Sequence, residues 1–184
     1  MKAGTRALGI AESFTGQEST LAGVLMTASG RVDDFVFGTC TVGGTDVTDE
    51  IVDMIDRLGR EDTRAVLIAG VALAWYNIVD VEQLAERLDP PVIVVTFEES
   101  EGLEEAIAEA FSGERRDDRL DRYRTLPTRE EHLIYDRTLY VRSIDVSHER
   151  VGEILQAYMT AGSARPEPLR VANLAARAVD EVQV

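Results

Sequence analysis

The chain carries, near its C-terminal end, the stretch Arg165-Pro166-Glu167-Pro168-Leu169-Arg170-Val171-Ala172. Its two prolines stand one residue apart, so two backbone φ angles are fixed and two amide donors are missing. Proline is well tolerated in the first turn of a helix, and we therefore expect a helix to begin at Pro168. Arg170 and Arg177 would project from that helix. So rigid a helix entry, flanked by arginines, is unusual.

Length and composition indicate a folded protein of one domain, residues 1–184. A chain of 184 residues with 45% hydrophobic and 29% charged residues can bury a sizeable core. Its longest apolar run, residues 65–76, is too short to span a bilayer, and no long apolar segment follows Lys2 and Arg6. Cys40 is the one cysteine, so an internal disulfide is excluded. We expect a cytoplasmic protein that has no membrane partner.

The charge of the chain is strongly acidic. The formal net charge is −15 at pH 7, and Lys2 is the only lysine. Such a surface is typical of a protein from a salt-rich cytoplasm, where carboxylates keep the surface hydrated and salt screens their repulsion. At high salt, affinity for nucleic acid would come from arginines, metal-held phosphates and base contacts, because counterion release contributes little. Composition leaves open the alternative that the protein binds no nucleic acid.

The N-terminal part predicts three antiparallel strands. Residues 7–14 and 21–27 are rich in apolar side chains, and residues 34–42 alternate between apolar and polar ones. The short connections between these segments favour a meander. On the third strand, Cys40 is expected to be a buried small hydrophobe rather than a reactive thiol.

Helices and further strands alternate in the rest of the chain. The segment 92–97 is rich in Val and Ile on both faces, as expected of a parallel strand covered on two sides. The order predicts an α/β fold with a ribonuclease H-like mixed sheet, in which three antiparallel strands precede parallel strands reached by crossovers, with helices on both faces. The further predicted strands are 65–69, 92–97 and 139–141, and the helices are 49–58, 81–88, 104–111, 147–159 and the one from 168. Residues 115–124 are densely charged and are expected to form a solvated helix or an excursion.

Three motifs carry a resemblance to a known family. They are Thr-Asp-Val-Thr-Asp at residues 45–49, Asn-Ile-Val-Asp at residues 77–80 and the proline stretch at residues 165–172. Over residues 6–178 the chain resembles the endonuclease V-like proteins, and more closely their archaeal branch known as DUF99 or UPF0215. The resemblance implies the ribonuclease H-like fold and a role in repair of DNA with deaminated bases, uracil or hypoxanthine. Nucleases of that fold bind two Mg²⁺ ions with carboxylates.

The first strand keeps one of the two acids that the family shows after a glycine and a hydrophobic residue. Ala11 takes the first position and Glu12 the second. Strand alternation puts these side chains on opposite faces, so Glu12 replaces the missing acid only if a bulge redirects it. Since a glutamate in an apolar strand is costly unless it is paired or used, two interpretations stay open: a metal-binding carboxylate, or a solvent-facing charge at the strand end.

The loop before the first helix also mixes kept and lost acids. Asp46 and Asp49 are kept, whereas Gly43 stands where the family has an acid. We expect Asp46 or Thr48 to cap the helix. Contact of these carboxylates with a metal or a phosphate at the helix N-terminus is the functional alternative.

The third segment has Ala69 where endonuclease V has an acid. It ends in Asp80, which we expect to cap the next helix. Trp75 and Tyr76 lie in the connection between them. We interpret the two rings as core packing or, alternatively, as a wedge that stacks on an extruded base.

A metal-dependent endonuclease is the leading hypothesis that the resemblance implies, with DNA as partner. Its catalytic carboxylates would be Glu12, Asp46 and Asp80, and Mg²⁺ or Mn²⁺ would be held by Glu12, Asp46 and Asp49. Substrate would be contacted by Trp75, Tyr76, Asn77, Arg170 and Arg177. The loss of acids at Ala11 and Ala69 supports the alternative, a catalytically degenerate nucleic-acid-binding or protein-interaction module. A small-molecule hydrolase using the same cleft is a third hypothesis.

In the sequence alone, the two histidines give little information about function. His132 lies in a charged segment that we interpret as a loop, and His148 follows the expected cap Ser147. Asp145 stands where endonuclease V has a functional histidine. A helix N-terminus disfavours a cation, so we interpret His148 as structural or solvated. The sequence contains no P-loop, dinucleotide-binding or Cys/His zinc motif.

Overall fold

The first three strands form as their apolar pattern predicts. In the computed structural model, which describes residues 1–182, β1 (Arg6–Phe14), β2 (Glu18–Thr27) and β3 (Val32–Thr41) make an antiparallel meander. The predicted strands are confirmed, with ends that differ by a few residues. Ladder bonds extend these strands beyond the apolar residues that identify them in the sequence.

Helices and strands then alternate over the rest of the chain. In the sheet the strands stand in the order β3-β2-β1-β4-β7-β9-β8, with β4 parallel to β1 and β7 parallel to β4. This mixed sheet, with helices on both faces, confirms the predicted fold class. The remaining elements are α1 (Val47–Leu58), β4 (Thr63–Ile68), β5 (Ala72–Leu73), β6 (Asn77–Ile78), α2 (Val81–Arg87), β7 (Val92–Thr96), α3 (Glu104–Ala110), α4 (Glu114–Arg124), β8 (Glu130–Ile134), β9 (Arg137–Ser143), α5 (His148–Tyr158) and α6 (Glu167–Val182).

Strand β8 corrects the interpretation of His132 as a loop residue. It pairs with β9 at the edge of the sheet, where His132 is opposite Leu139. Only His132 and Ile134 of this strand are buried. An edge strand covered on one face presents few apolar residues, which is why the sequence predicts β9 and not β8.

Two apolar layers hold the helices on the sheet, because alternate residues of each strand point to opposite faces. On one face, Leu8 and Ile10 of β1 pack in the same cluster as Ile51 and Met54 of α1. On the other face, strand residues such as Leu67 and Ile93 pack with Ile154 and Leu155 of α5 and with Leu169 of α6. None of the helices described within residues 1–182 combines the length and the apolar character needed to cross a membrane.

Helix α6 lies directly on the central strand β1 because Gly9 leaves room for it. A Cβ atom on Gly9 would stand 2.4–2.6 Å from atoms of Pro168, two of them in the backbone. The helix begins at Glu167, one residue before the predicted start. The Pro166 carbonyl accepts hydrogen bonds from the amides of Leu169 and Arg170, both at 3.0 Å. The rigid proline entry therefore fixes the point at which α6 meets the sheet.

Replacing Gly9 by alanine is expected to lower the free energy of unfolding by about 1–3 kcal/mol, because the new methyl group forces α6 away from β1. Urea unfolding followed by circular dichroism measures this difference. Gly16→Ala is the matched control, since a Cβ atom there meets nothing within 4 Å. Equal unfolding free energies for Gly9→Ala and the wild type would show that the contact with Pro168 does not constrain the packing.

Candidate functional site

A buried asparagine organises the loop between β3 and α1. Asn77 is fully buried. Its Nδ2 donates to the Thr41 carbonyl at 3.0 Å and to Oδ1 of Asp46 at 2.6 Å, and its Oδ1 accepts from the Val47 amide at 3.2 Å. Asn77 thus satisfies an amide of the first turn of α1, a role that the Asp46 side chain does not take. The predicted contact of Asn77 with substrate does not agree with this burial, and its role is to position the loop.

The carboxylate of Asp46 points towards the end of β3. It accepts from the Thr41 amide at 3.1 and 3.2 Å and from the Thr41 hydroxyl at 2.7 Å, besides the bond from Asn77. Partial burial alone would raise the pKa of Asp46, but the hydrogen bonds from Thr41 and Asn77 hold that pKa below its usual value. The expected side-chain cap of α1 by Asp46 or Thr48 is wrong, because the Thr48 hydroxyl instead accepts from the Asp80 amide at 2.9 Å.

Asp80 and Asp49 join α1 to α2. Asp80 caps α2 as predicted, its Oδ1 accepting from the Gln83 amide at 2.9 Å. Asp49 is exposed, and its Oδ1 accepts from Gln83 Nε2 and from Arg87 Nη1, both at 3.0 Å. Each of these carboxylates therefore already has a donor within the protein.

Glu12 lies at the end of β1 on the face that carries α1. The register between β1 and β2 is continuous through Glu12, so no bulge redirects its side chain. Its Oε2 accepts from the Ser19 hydroxyl at 2.7 Å. Burial, followed by the negative charges of Asp46 and Glu12, raises the pKa of Cys40 to about 12. Glu12 and Asp46 therefore share the side of the sheet on which Cys40 is buried, and the expectation of an inert, buried Cys40 fits its environment.

The two alanines that stand in acidic positions lie together on the opposite face. Ala11 and Ala69 belong to one small apolar cluster with Val24 and Ala172, beneath α6. The Ala69 amide donates to the Ile10 carbonyl at 3.0 Å, which places the two alanines on adjacent strands. A carboxylate at either position would be desolvated against α6. The structure thus uses these positions for packing.

The available carboxylates do not fit a two-ion magnesium centre. Each Mg²⁺ ion needs several oxygen ligands in a tight octahedral arrangement. Within residues 1–182, no three of Glu12, Asp46, Asp49 and Asp80 bring their oxygens within 4.8 Å of one another. Donors within the protein hold Asp46, Asp49 and Asp80, and the predicted ligand set does not converge around one ion.

A strained turn between β5 and β6 presents Trp75. Ala74, Trp75 and Tyr76 have φ angles of 44°, 56° and 63°, in the left-handed region that costs roughly 1–2 kcal/mol per residue with a side chain. The turn is held by the Gly43 amide, which donates to the Ala74 carbonyl at 2.7 Å. A Cβ atom on Gly43 would stand 3.2 Å from the Trp75 ring, so a glycine at position 43 leaves room for Trp75. Strain of this kind is concentrated at functional sites.

Trp75 is exposed by 49%, whereas its aromatic neighbours are more buried. Its ring centroid lies 5.2 Å from that of Phe111 and 6.1 Å from that of Tyr76. Core packing therefore describes Tyr76, which packs against a cluster formed by Ile78 and Phe111. Trp75 instead offers a free ring face supported from behind.

Two arginines of α4, which no sequence motif indicates, pack against Phe111 behind this ring. Arg119 is buried with its guanidinium 4.1 Å from the Phe111 ring, and it donates to the carbonyls of Gly43, Gly44 and Arg115. Burial lowers the pKa of Arg119. Arg115 is exposed, 5.3 Å from the same ring. In a helix as densely charged as α4, only the i, i+4 spacing of this pair could have distinguished it.

The predicted phosphate contacts lie on one face of α6. Glu167 binds the guanidinium of Arg170 with two hydrogen bonds to Nε at 3.0 Å and one to Nη2 at 2.7 Å, which raises the pKa of Arg170. Arg177 is exposed. Between them, Asn173 Nδ2 donates to the Glu12 carbonyl at 3.5 Å. Because positions 170, 173 and 177 share a helix face, both arginines flank the end of β1.

The sequence is similar to proteins of one known family. A model of the family described as "Endonuclease dU" matches residues 3–180. A UPF0215 protein of Pyrobaculum calidifontis is 34% identical over 182 residues, which cover 95% of this chain and 96% of the relative.

Solved structures show the same fold. A protein of unknown function from Archaeoglobus fulgidus superposes with a TM-score of 0.82 at 24% identity, covering 95% of this chain and 97% of that one. Ciona intestinalis Endonuclease V, in complex with a DNA that contains an inosine, superposes with a TM-score of 0.62 at 10% identity, covering 98% and 87%. The seven-stranded sheet is thus similar to that of endonuclease V.

The ionised form of Asp46 is expected to stabilise the fold at neutral pH. Its pKa is lower in the folded protein than the unfolded value near 3.8, so the stabilisation is complete above that value and is lost as pH falls through the folded pKa. Asp46→Asn should lower the free energy of unfolding at pH 7, and the difference from the wild type should shrink below about pH 4. Chemical denaturation at pH 7 and pH 3 measures both.

Asp53→Asn is the control for that experiment, because Asp53 is an exposed carboxylate on α1, the helix that follows Asp46. A destabilisation by Asp46→Asn that is equal at both pH values would show that its charge does not hold the loop.

Proposed function

The chain belongs to the Endonuclease dU family, and on that basis we propose that it recognises deaminated bases, such as uracil or hypoxanthine, in DNA and acts in DNA repair. Family membership supports the class of lesion. The observation that carries the proposal is Trp75, a half-exposed ring held on a turn of three left-handed residues beside two arginines.

Recognition would proceed by extrusion of the altered base onto Trp75. Removing a base from the duplex costs a few kcal/mol, and the cost is lowest for a mispaired or damaged base. Stacking on an aromatic ring returns about 1–3 kcal/mol per base. Phe111, with its centroid 5.2 Å from that of Trp75, supports the Trp75 ring, so little ordering of the side chain is needed on binding.

Charge restricts how DNA can approach. With a formal net charge of −15, most of the surface repels phosphates, and salt reduces that repulsion. Three exposed cations are available to contact phosphates: Arg115 on α4, and Arg170 and Arg177 on α6, of which Arg170 is partly neutralised by Glu167. We propose that Arg115, Arg170 and Arg177 contact the phosphate backbone on either side of the extruded base.

Strand cleavage with Mg²⁺ or Mn²⁺ is the second candidate function. The observation that favours it is that Glu12 and Asp46 lie on one side of the sheet, where both charges act on Cys40. Against the two-ion mechanism, Ala11 and Ala69 pack under α6 and cannot bind metal. Recognition without cleavage is therefore the function that the geometry supports best.

Fluorescence anisotropy with labelled oligonucleotides tests recognition. The oligonucleotides carry one deoxyuridine, one deoxyinosine or no modification, single- and double-stranded, over a range of KCl concentrations. We expect tighter binding to the altered strands, and we expect Trp75→Ala to weaken that binding by about tenfold, the loss of one stacked base. The KCl series also measures how far phosphate contacts contribute.

Phe35→Ala is the matched control for Trp75→Ala. Phe35 is a half-exposed aromatic near the start of β3, away from the strand ends that carry the site. Equal binding to altered and unmodified strands, or an equal loss in the two variants, would contradict recognition by Trp75.

The same oligonucleotides with Mg²⁺ or Mn²⁺ test cleavage, with Glu12→Ala as the control. Binding without nicking is the expected result. Nicking specific to the altered base, and lost in Glu12→Ala, would instead establish the second candidate.

A further inference from the structure

A cluster of three metal-binding side chains lies at the edge of the sheet formed by β8. Glu130 and His132 are two residues apart on β8 and therefore point to the same side, towards α5. The first residue of α5 is His148. One ligand atom from each residue lies within 4.8 Å of the other two. Oε2 of Glu130 is 2.9 Å from Nδ1 of His148 and 3.9 Å from Nε2 of His132.

His132 is the residue that indicates a missing ligand. It is only 3% exposed, and its Nε2 has no hydrogen-bond partner. Buried polar atoms are nearly always satisfied, so an orphaned one needs an explanation. Burial, followed by the neighbouring His148, lowers the pKa of His132, which leaves the imidazole neutral and able to donate a lone pair at neutral pH.

We propose that Glu130, His132 and His148 bind one divalent transition-metal ion of the zinc type. Two imidazoles and one carboxylate favour Zn²⁺ or Co²⁺ over Mg²⁺ and Ca²⁺, which prefer oxygen ligands alone. Around a tetrahedral ion with bonds of 2.0–2.1 Å, neighbouring ligand atoms stand roughly 3.3 Å apart. The separations of 2.9 and 3.9 Å bracket that value.

Binding requires one side chain to turn. The two imidazole rings are stacked, with centroids 3.9 Å apart and planes at 16°, so their lone pairs lie in nearly parallel planes and do not converge on one point between the rings. The His148 side chain is 64% exposed and can rotate towards an ion held at Nε2 of His132. Glu130 is exposed as well, so water can occupy the fourth position. The negative charge of Glu130 also offsets the unfavourable effect of the α5 N-terminus on a bound cation.

None of its three ligands belongs to the residues that are proposed to recognise DNA. Strand β8 forms one edge of the sheet, and β4, β7 and β9 separate it from β1, which carries Glu12. A metal ion there would link the edge hairpin to the first turn of α5. Since the ion binds the folded protein and not the unfolded chain, it raises the melting temperature by mass action.

Metal titration of protein without a histidine tag tests the proposal. Co²⁺ binding is followed by its visible absorption and Zn²⁺ binding by the rise in Tm, both in excess Mg²⁺ to occupy sites made of oxygen ligands alone. We expect one ion per chain. Glu130→Gln and His148→Phe should each weaken binding by at least about tenfold, because losing a ligand costs no less than losing a residue that only supports one.

The variants separate metal binding from folding. His148→Phe keeps a ring stacked on His132 and removes both nitrogens. Glu131→Gln is the control, because Glu131 is an exposed carboxylate on the other face of β8. This variant should bind the metal with wild-type affinity. Absence of saturable Co²⁺ binding by the wild type, or wild-type affinity in both Glu130→Gln and His148→Phe, would overturn the proposal.

Discussion

The packing of α6 on β1 depends on a glycine that faces a proline. Gly9 leaves the space that Pro168 fills, and any side chain at that position would overlap the helix backbone. The consequence extends along the strand. Two residues further, Ala11 packs against Ala172, and at the strand end the Ser13 hydroxyl donates to Asp180 at 3.1 Å. A helix this close to the sheet leaves no room under it for hydrated carboxylates or metal ions.

This packing divides the two faces of the central strand between different tasks. The face under α6 is apolar and is used for stability. The opposite face carries Glu12 and, beyond it, the loop in which Asn77 holds Asp46 and the first amide of α1. The strained turn with Trp75 rests on the same loop through the Gly43 amide. The proposed recognition of a base uses this face, whereas Ala11 and Ala69 pack on the other face beneath α6.

The sequence predicts those features that are local. Hydrophobic patterns identify β1 to β3, the prolines identify the start of α6, and the Asp80 cap follows from an acid placed just before a helix. The burial of Asn77 could not be predicted, because its partners Thr41 and Asp46 are more than thirty residues away in sequence. The same holds for Arg119, whose carbonyl partners lie in the β3–α1 loop, and for His132, which meets His148 only when β8 lies beside α5. Local patterns reveal elements, whereas the site is made by contacts between them.

Fluorescence of Trp75 is the most direct test of base recognition, because Trp75 is the only tryptophan in the chain and the emission reports on one ring. The emission is recorded while an oligonucleotide with a single deoxyuridine is added, and an identical strand with the normal base serves as the reference. We expect saturable quenching of the Trp75 emission that is stronger for the deoxyuridine strand, because the extruded base stacks on the indole. Binding of the deoxyuridine strand with Trp75 emission unchanged, or with quenching equal for both strands, would contradict recognition of the altered base at Trp75.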